Sequence, residues 1–145
     1  MTFRTSREIT ADPSSVFAAF EDSARLATWW GPAGFTNTFV VCEFEPGGKW
    51  TFVMHGPDGK DYPNESAFLA IEPSKRIVIR HESKPRYRLT VTLEPTDAGG
   101  TLVVWEQEFD NPKVAAAIEH IVVPANEQNL DRLSAEVLRV HGGGG

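Results

Sequence analysis

The stretch RLATWWGPAGFT, residues 25–36, decides how this chain is read. Two tryptophans end a helical pattern, Gly31-Pro32 breaks it, and Ala33-Gly34-Phe35 turns into the next segment. Glycine and proline suffice for the break itself. The rings of Trp29, Trp30 and Phe35 must therefore close against something large. Working outward, EDSARLATWW reads as a short helix capped by Asp22 or Ser23. ADPSSVFAAF before it reads as another, with Asp12 as N-cap and Pro13 at the first helical position. FRTSREIT, ahead of both, alternates with period two and predicts a strand.

Downstream the same alternation continues through six segments joined by hairpin signals, EPGG, GPDG, EPSK, SKP and TDAGG among them. Pro63 lies inside one of these segments and is expected at a strand edge or bulge, since it has no N–H to give a ladder. Side chains two apart share a face. Trp50, Phe52 and Met54 form one such row, and Ile77, Ile79 and His81 another. Tyr87, Leu89, Val91 and Leu93 form a third, and Val103, Trp105, Gln107 and Phe109 a fourth. The tryptophan side of the last row is taken as inward because Glu106 and Glu108, on its other side, need water. Val78, Leu102 and Val104 then face outward, where an apolar patch would suit a homodimer.

The last third, NPKVAAAIEHIVVPANEQNLDRLSAEVLRV, has helical spacing. Pro124 is expected to split it into a short piece and a helix of about 16 residues, roughly 24 Å long. Leu130, Leu133 and Val137 line one face of the longer piece, with Asn126 extending the row. A curved sheet gripping such a helix leaves space between them.

Totals bound the rest. The chain has 145 residues, enough for one domain with a real core. One domain is assigned to residues 1–141, with 142–145 as a flexible glycine tail. Fourteen Lys and Arg against twenty Asp and Glu give a net charge of −6, which disfavours nucleic acid and anionic membranes as partners. No apolar run reaches the roughly 18 residues of a membrane span, and the first ten residues lack a signal-peptide core. The single Cys42 cannot form an internal disulfide, so a cytoplasmic location fits.

Chemical motifs are few. His55, His81, His120 and His141 are scattered, so no metal is expected, and no cofactor is called for. Cys42, in VVCEF, reads as an inert strand cysteine. The glycine pairs complete no phosphate loop. His81 has two readings, one as a ligand-binding or general-base group and one as a histidine satisfied by a neighbouring strand. Tyr62 and Gln107, also inward and polar, can orient a ligand or satisfy each other. Lys84, Arg86 and Arg88, with Arg76 and Arg80, form a solvated outer face that Glu106 and Glu108 can pair with.

Strand, two short helices, six antiparallel strands and a long terminal helix is the order of the α+β helix-grip fold, START-like and birch-pollen-allergen-like. WWGPAGF, GGKWTFVMHGPDG, GGTLVVWEQEF and LDRL sharpen the match. Across about residues 5–140 the chain resembles the START-like (SRPBCC) superfamily, and within it the bacterial proteins similar to the activator of heat-shock-protein-ninety ATPase. It departs from them at Val123-Pro124-Ala125, where Gly-Trp is frequent. The resemblance implies a deep, largely apolar cavity between sheet and helix. Its candidate walls are Trp29, Trp30 and Phe35 from the loop, Trp50, Phe52, Met54, Tyr62, Phe68, Ile79 and His81 from the first strands, Leu89, Val91, Trp105, Gln107 and Phe109 from the last, and Leu130, Leu133 and Val137 from the helix. The leading expectation is a protein that binds a hydrophobic or amphipathic small molecule without changing it. The alternatives are a cyclase, dehydratase or hydrolase using His81 with Tyr62 or Gln107, and a co-chaperone-like interaction module.

Overall fold

The computed structural model describes residues 1–143. Strand β1 (Thr2–Ile9) is followed by helices α1 (Pro13–Glu21) and α2 (Ser23–Trp29). Six strands come next, β2 (Thr36–Cys42), β3 (Lys49–His55), β4 (Asp61–Glu72), β5 (Arg76–His81), β6 (Tyr87–Pro95) and β7 (Thr101–Phe109). Helix α3 (Pro112–Gly143) closes the chain. The strands form one antiparallel sheet in the order β1-β7-β6-β5-β4-β3-β2. Strands β2 to β7 are thus a run of hairpins, while α1 and α2 carry the chain from one edge of the sheet to the other.

Caps set the helix starts. Asp12 accepts from the Ser15 amide at 3.2 Å ahead of Pro13. Asp22, not Ser23, caps α2, accepting from the amides of Ala24 at 3.0 Å and Arg25 at 3.3 Å. Register then aligns the inward rows across the sheet: Ile77 opposes Val91, which opposes Trp105, and Ile79 opposes Leu89, which opposes Gln107. The core is one cluster in which Trp29, Trp50, Phe52, Phe68, Leu130 and Leu133 are at most 2% exposed. Burying each such side chain is worth about 1.5–3 kcal/mol, and together they fix α1, α2 and the second half of α3 on one end of the concave face.

Pro63 fits its expected place. It pairs with Val53 of β3, whereas the β4–β5 ladder begins only at Ser66 opposite His81, so β4 is an edge at that level. Two other expectations are corrected. Pro124 does not split the C-terminal helix, which runs through it for 32 residues, about 48 Å. Pro124 is exposed, so water can answer the His120 carbonyl that its missing N–H leaves free. Nor do Val78 and Val104 present an apolar outer patch. They are 6% and 3% exposed, and Leu102 is half-buried. The helix continues to Gly143, and the remaining glycines of the expected tail lie outside the described residues. Among the described residues no helix is long and apolar enough to cross a membrane.

Candidate functional site

The loop after α2 is held from the far end of the chain. Arg132 of α3 reaches into it and donates to five backbone carbonyls. Its Nη1 meets Trp30 at 3.2 Å, Gly31 at 3.0 Å and Pro32 at 2.8 Å, and its Nη2 meets Thr28 at 2.8 Å and Phe35 at 2.9 Å. Burial pulls its pKa below the ordinary guanidinium value. Asn37 Nδ2 adds donors to Ala27 O at 3.0 Å and Trp30 O at 2.9 Å, and Gln128 accepts from the Ala33 amide at 3.1 Å. Gly31 has φ +99°, and a Cβ there would lie 2.7 Å from Met54 Cε, so only glycine suits this position.

This anchoring answers what the rings close against. Trp29 is sealed in the core, its Nε1 donating to Ala19 O at 2.9 Å. Trp30 packs edge-on against Trp50 at 4.9 Å and tilts over Trp105 at 5.9 Å. Phe35 lies further out, 6.0 Å from Tyr62.

Beside Trp30 the packing stops. A space of about 160 Å3 lies between the concave face and α3, walled by Trp30, Met54, Leu89 and Trp105, with Ile121, Val122 and Ala125 of the helix. Polar groups enter it from both sides: Asn64, Tyr87 and Gln107 from the sheet, Asn126 and Asn129 from the helix. Asn126 Nδ2 donates to Gln107 Oε1 at 3.0 Å and ties the two sides together. Burial pushes the Tyr87 phenol up to about 12, with Gln107 opposing part of that rise. Trp105 is 2% exposed, and its indole N–H meets no acceptor among the described residues.

Pro32, Met54 and Asn64 also border a second space of about 380 Å3, lined further by Phe35, Tyr62 and His81. Lys84 and Pro85 connect that one to a third of about 590 Å3, over Phe109 and beside Val114 and Ile118 of α3. The three adjoin one another along one end of the sheet, and the first half of α3 borders the inner and the third.

His81 borders the second space, 5% exposed and stacked on Tyr87 at 4.5 Å. Its Nδ1 faces the Pro85 carbonyl oxygen at 2.8 Å, and its Nε2 faces Asn64 Oδ1 at 2.6 Å and Ser83 Oγ at 3.3 Å, so oxygen atoms of the protein flank both ring nitrogens. Burial lowers its pKa, and the Pro85 carbonyl acts in the opposite direction. Neither Tyr62 nor Gln107 bonds to it. The Tyr62 hydroxyl donates to Asp58 at 3.1 Å, and Gln107 is engaged by Asn126. Burial likewise pushes the Cys42 thiol up, the wrong direction for a nucleophile. No cluster of metal-binding side chains occurs among the described residues.

The structure thus separates the eighteen candidates of the sequence. Trp30, Met54, Leu89, Trp105 and Gln107 line the inner space, Phe35, Tyr62 and His81 the second, and Phe109 the third. Trp29, Trp50, Phe52, Phe68, Ile79, Val91, Leu130, Leu133 and Val137 are placed in the packed core and border none of these three spaces; Trp50, Phe52 and Phe68 are covered by the rings of Trp30, Phe39 and Phe44. Sequence reasoning passed over Asn64 and Asn129. A signal for the second existed, since Asn129 lies three residues after Asn126, within the apolar stripe of the helix.

A seven-stranded antiparallel sheet with two short helices after its first strand and one long C-terminal helix is the helix-grip architecture. Within it, the chain belongs to the family described as Activator of Hsp90 ATPase homolog 1-like protein, whose profile matches residues 10–137. Solved structures agree on the fold. A protein from Nitrosomonas europaea superposes with TM-score 0.86 at 20% identity, covering 99% of this chain and 97% of its own. One from Arthrobacter aurescens gives 0.86 at 24% identity, over 95% and 86%. The AHSA1 protein from Silicibacter pomeroyi gives 0.76 at 22% identity, over 97% and 100%. No curated protein matches the chain.

Proposed function

We propose that this protein holds a small organic molecule between the concave face of its sheet and the first half of α3, without transforming it. One observation carries this reading: the core stops short, and the space beyond it is walled by rings and edged by carboxamides. The space opens to solvent, so water or a guest fills it, and its rings and aliphatic side chains favour a guest. His81, whose ring nitrogens are both engaged by the protein, supports binding over acid–base work. The lone cysteine fits a reducing, cytoplasmic setting.

Native mass spectrometry of the purified protein, compared with a denatured sample, tests the reading. The expected result is an added mass that denaturation releases and that Ile121→Trp, which fills the space, abolishes. Ligand-free protein whose melting temperature no compound of a fragment library raises would remove it.

A further inference from the structure

The second and third spaces are bordered by charged groups as well as by rings. Two of those groups are carboxylates, and each already has a partner. Asp110 accepts from Arg80 Nη1 at 2.7 Å and from its Nη2, and Asp61 lies 2.7 Å from His55 Nδ1. Two are exposed cations that have none. Lys84, which borders both spaces, and Arg86, which borders the third, form no ion pair among the described residues. Arg86 Nε donates to Glu82 O at 3.1 Å, which leaves both Nη groups without a protein acceptor.

Nearby acids do not cancel these charges. Glu82, in the same turn, pairs with neither, and Glu108 opposes Arg88 across the β6–β7 ladder. The Asp110 carboxyl is held below its ordinary value by the hydrogen bond from Arg80 and further by the charges of Arg80, Arg86 and Arg88. Positive charge is thus in local surplus beside the third space, in a chain whose net charge is −6. The rest of that space is apolar. Phe109 borders it from β7, and Val114 and Ile118, one turn apart on α3, border it from the helix. Val114 is exposed and Ile118 half-buried, so neither is absorbed by the core.

Resting on the binding role proposed above, we infer that the third space takes an amphipathic anion, its head at Lys84 and Arg86 and its aliphatic chain along Phe109, Val114 and Ile118. A carboxylate or phosphate head suits the two cations, since a guanidinium meets either with parallel N–H donors and an ammonium adds a point charge beside it. Because both cations are exposed, the head keeps part of its hydration, and the penalty for burying a charge is avoided. A neutral head gains nothing from the pair, and a cationic head is repelled by it.

Octanoate, octyl phosphate, octan-1-ol and octyltrimethylammonium put one chain on different heads. Each is titrated, below its micelle concentration and at low salt, into 15N-labelled protein while the amide signals of Lys84, Arg86, Val114 and Ile118 are followed. The better of the two anions is expected to move all four signals and to bind about fivefold more tightly than octanol, which also tells which head the site takes. In molar salt, where screening acts beyond about 3 Å, the preference should fall below about twofold. The double variant Lys84→Gln, Arg86→Gln should erase it at low salt. Should that variant fail to fold, Lys84→Gln alone is expected to remove about half of it. Octanol or the cation binding as tightly as both anions overturns the anionic head and leaves the binding role standing. Anions that bind without moving the Val114 and Ile118 signals overturn the placement of the chain. If no probe binds, this inference falls, and native mass spectrometry alone then judges the binding role.

Discussion

From Asn126 onward α3 buries Leu130, Leu133 and Val137 and is fastened at several points. Arg7 of β1 reaches Glu127 at 3.2 Å and Asp131 at 2.6 Å, Arg25 of α2 reaches Glu136 at 2.7 Å, and Arg132 grips the loop after α2. Before Asn126 the same helix buries only Ala115 and leaves Val114, Ile121 and Val123 exposed. The second half is part of the core, and the first is a roof bordering the inner and third spaces. Stability and the proposed binding therefore fall on different stretches of one continuous element, and substitutions along it should separate them.

Leu133→Ala, on the seated half, should have the largest effect. A fully buried leucine cut to alanine costs about 3–5 kcal/mol, to be read from urea denaturation. Arg132→Met comes next, at about 2–3 kcal/mol, because five carbonyls lose a charged donor at once. Arg132→Lys should recover only part of this, since an ammonium cannot reproduce the fork. Full recovery by lysine would mean that charge alone, rather than geometry, holds the loop.

Glu136→Gln should cost about 1–2 kcal/mol at neutral pH. Burial pushes the Glu136 carboxyl up, but the hydrogen bonds from Arg139 and Arg25 outweigh it, and the net pKa lies below the ordinary value. A depressed folded-state pKa contributes stability that is present above the ordinary carboxylate range and lost as pH falls through the folded value. The variant and the parent should therefore converge in acid, and a gap that persists at low pH would deny the pair this role.

Ile121→Ala, on the roof, should be the mildest. Its side chain is 58% exposed, and the unfolding free energy should change by less than about 0.5 kcal/mol. The same substitution widens the edge of the inner space and should speed release of whatever is bound. A large loss of stability would show that the two halves are not distinct.

The seated half was largely legible in the sequence. Trp29, Trp50, Leu130 and Leu133 announce themselves by size and spacing, and alternation, with the need of Glu106 and Glu108 for water, puts Trp105 and Gln107 on the inner face. Alternation reports which face a side chain takes, however, and not how closely the opposing element approaches. That is why Phe52, Phe68 and Val91 were grouped with the walls of a cavity. Distances from α3 arise from contacts more than a hundred residues apart in sequence, such as Arg132 with Trp30, and no local pattern encodes them. Pro124 misled for a related reason. Its helix-breaking tendency of about 3 kcal/mol is a local quantity, and it was outweighed by the tertiary packing of the residues that follow.

That proline also sets a mechanical property. One rung of the helical ladder is missing where the fastened stretch ends, so flexing there strains one backbone bond fewer than elsewhere along the helix. The segment ahead of it is a lever of about 20 Å, and a tilt of a few degrees at its base moves the far tip by more than an ångström. For the proposed guest, such a tilt would fit the room beneath to molecules of somewhat different girth while the core side chains stay in place.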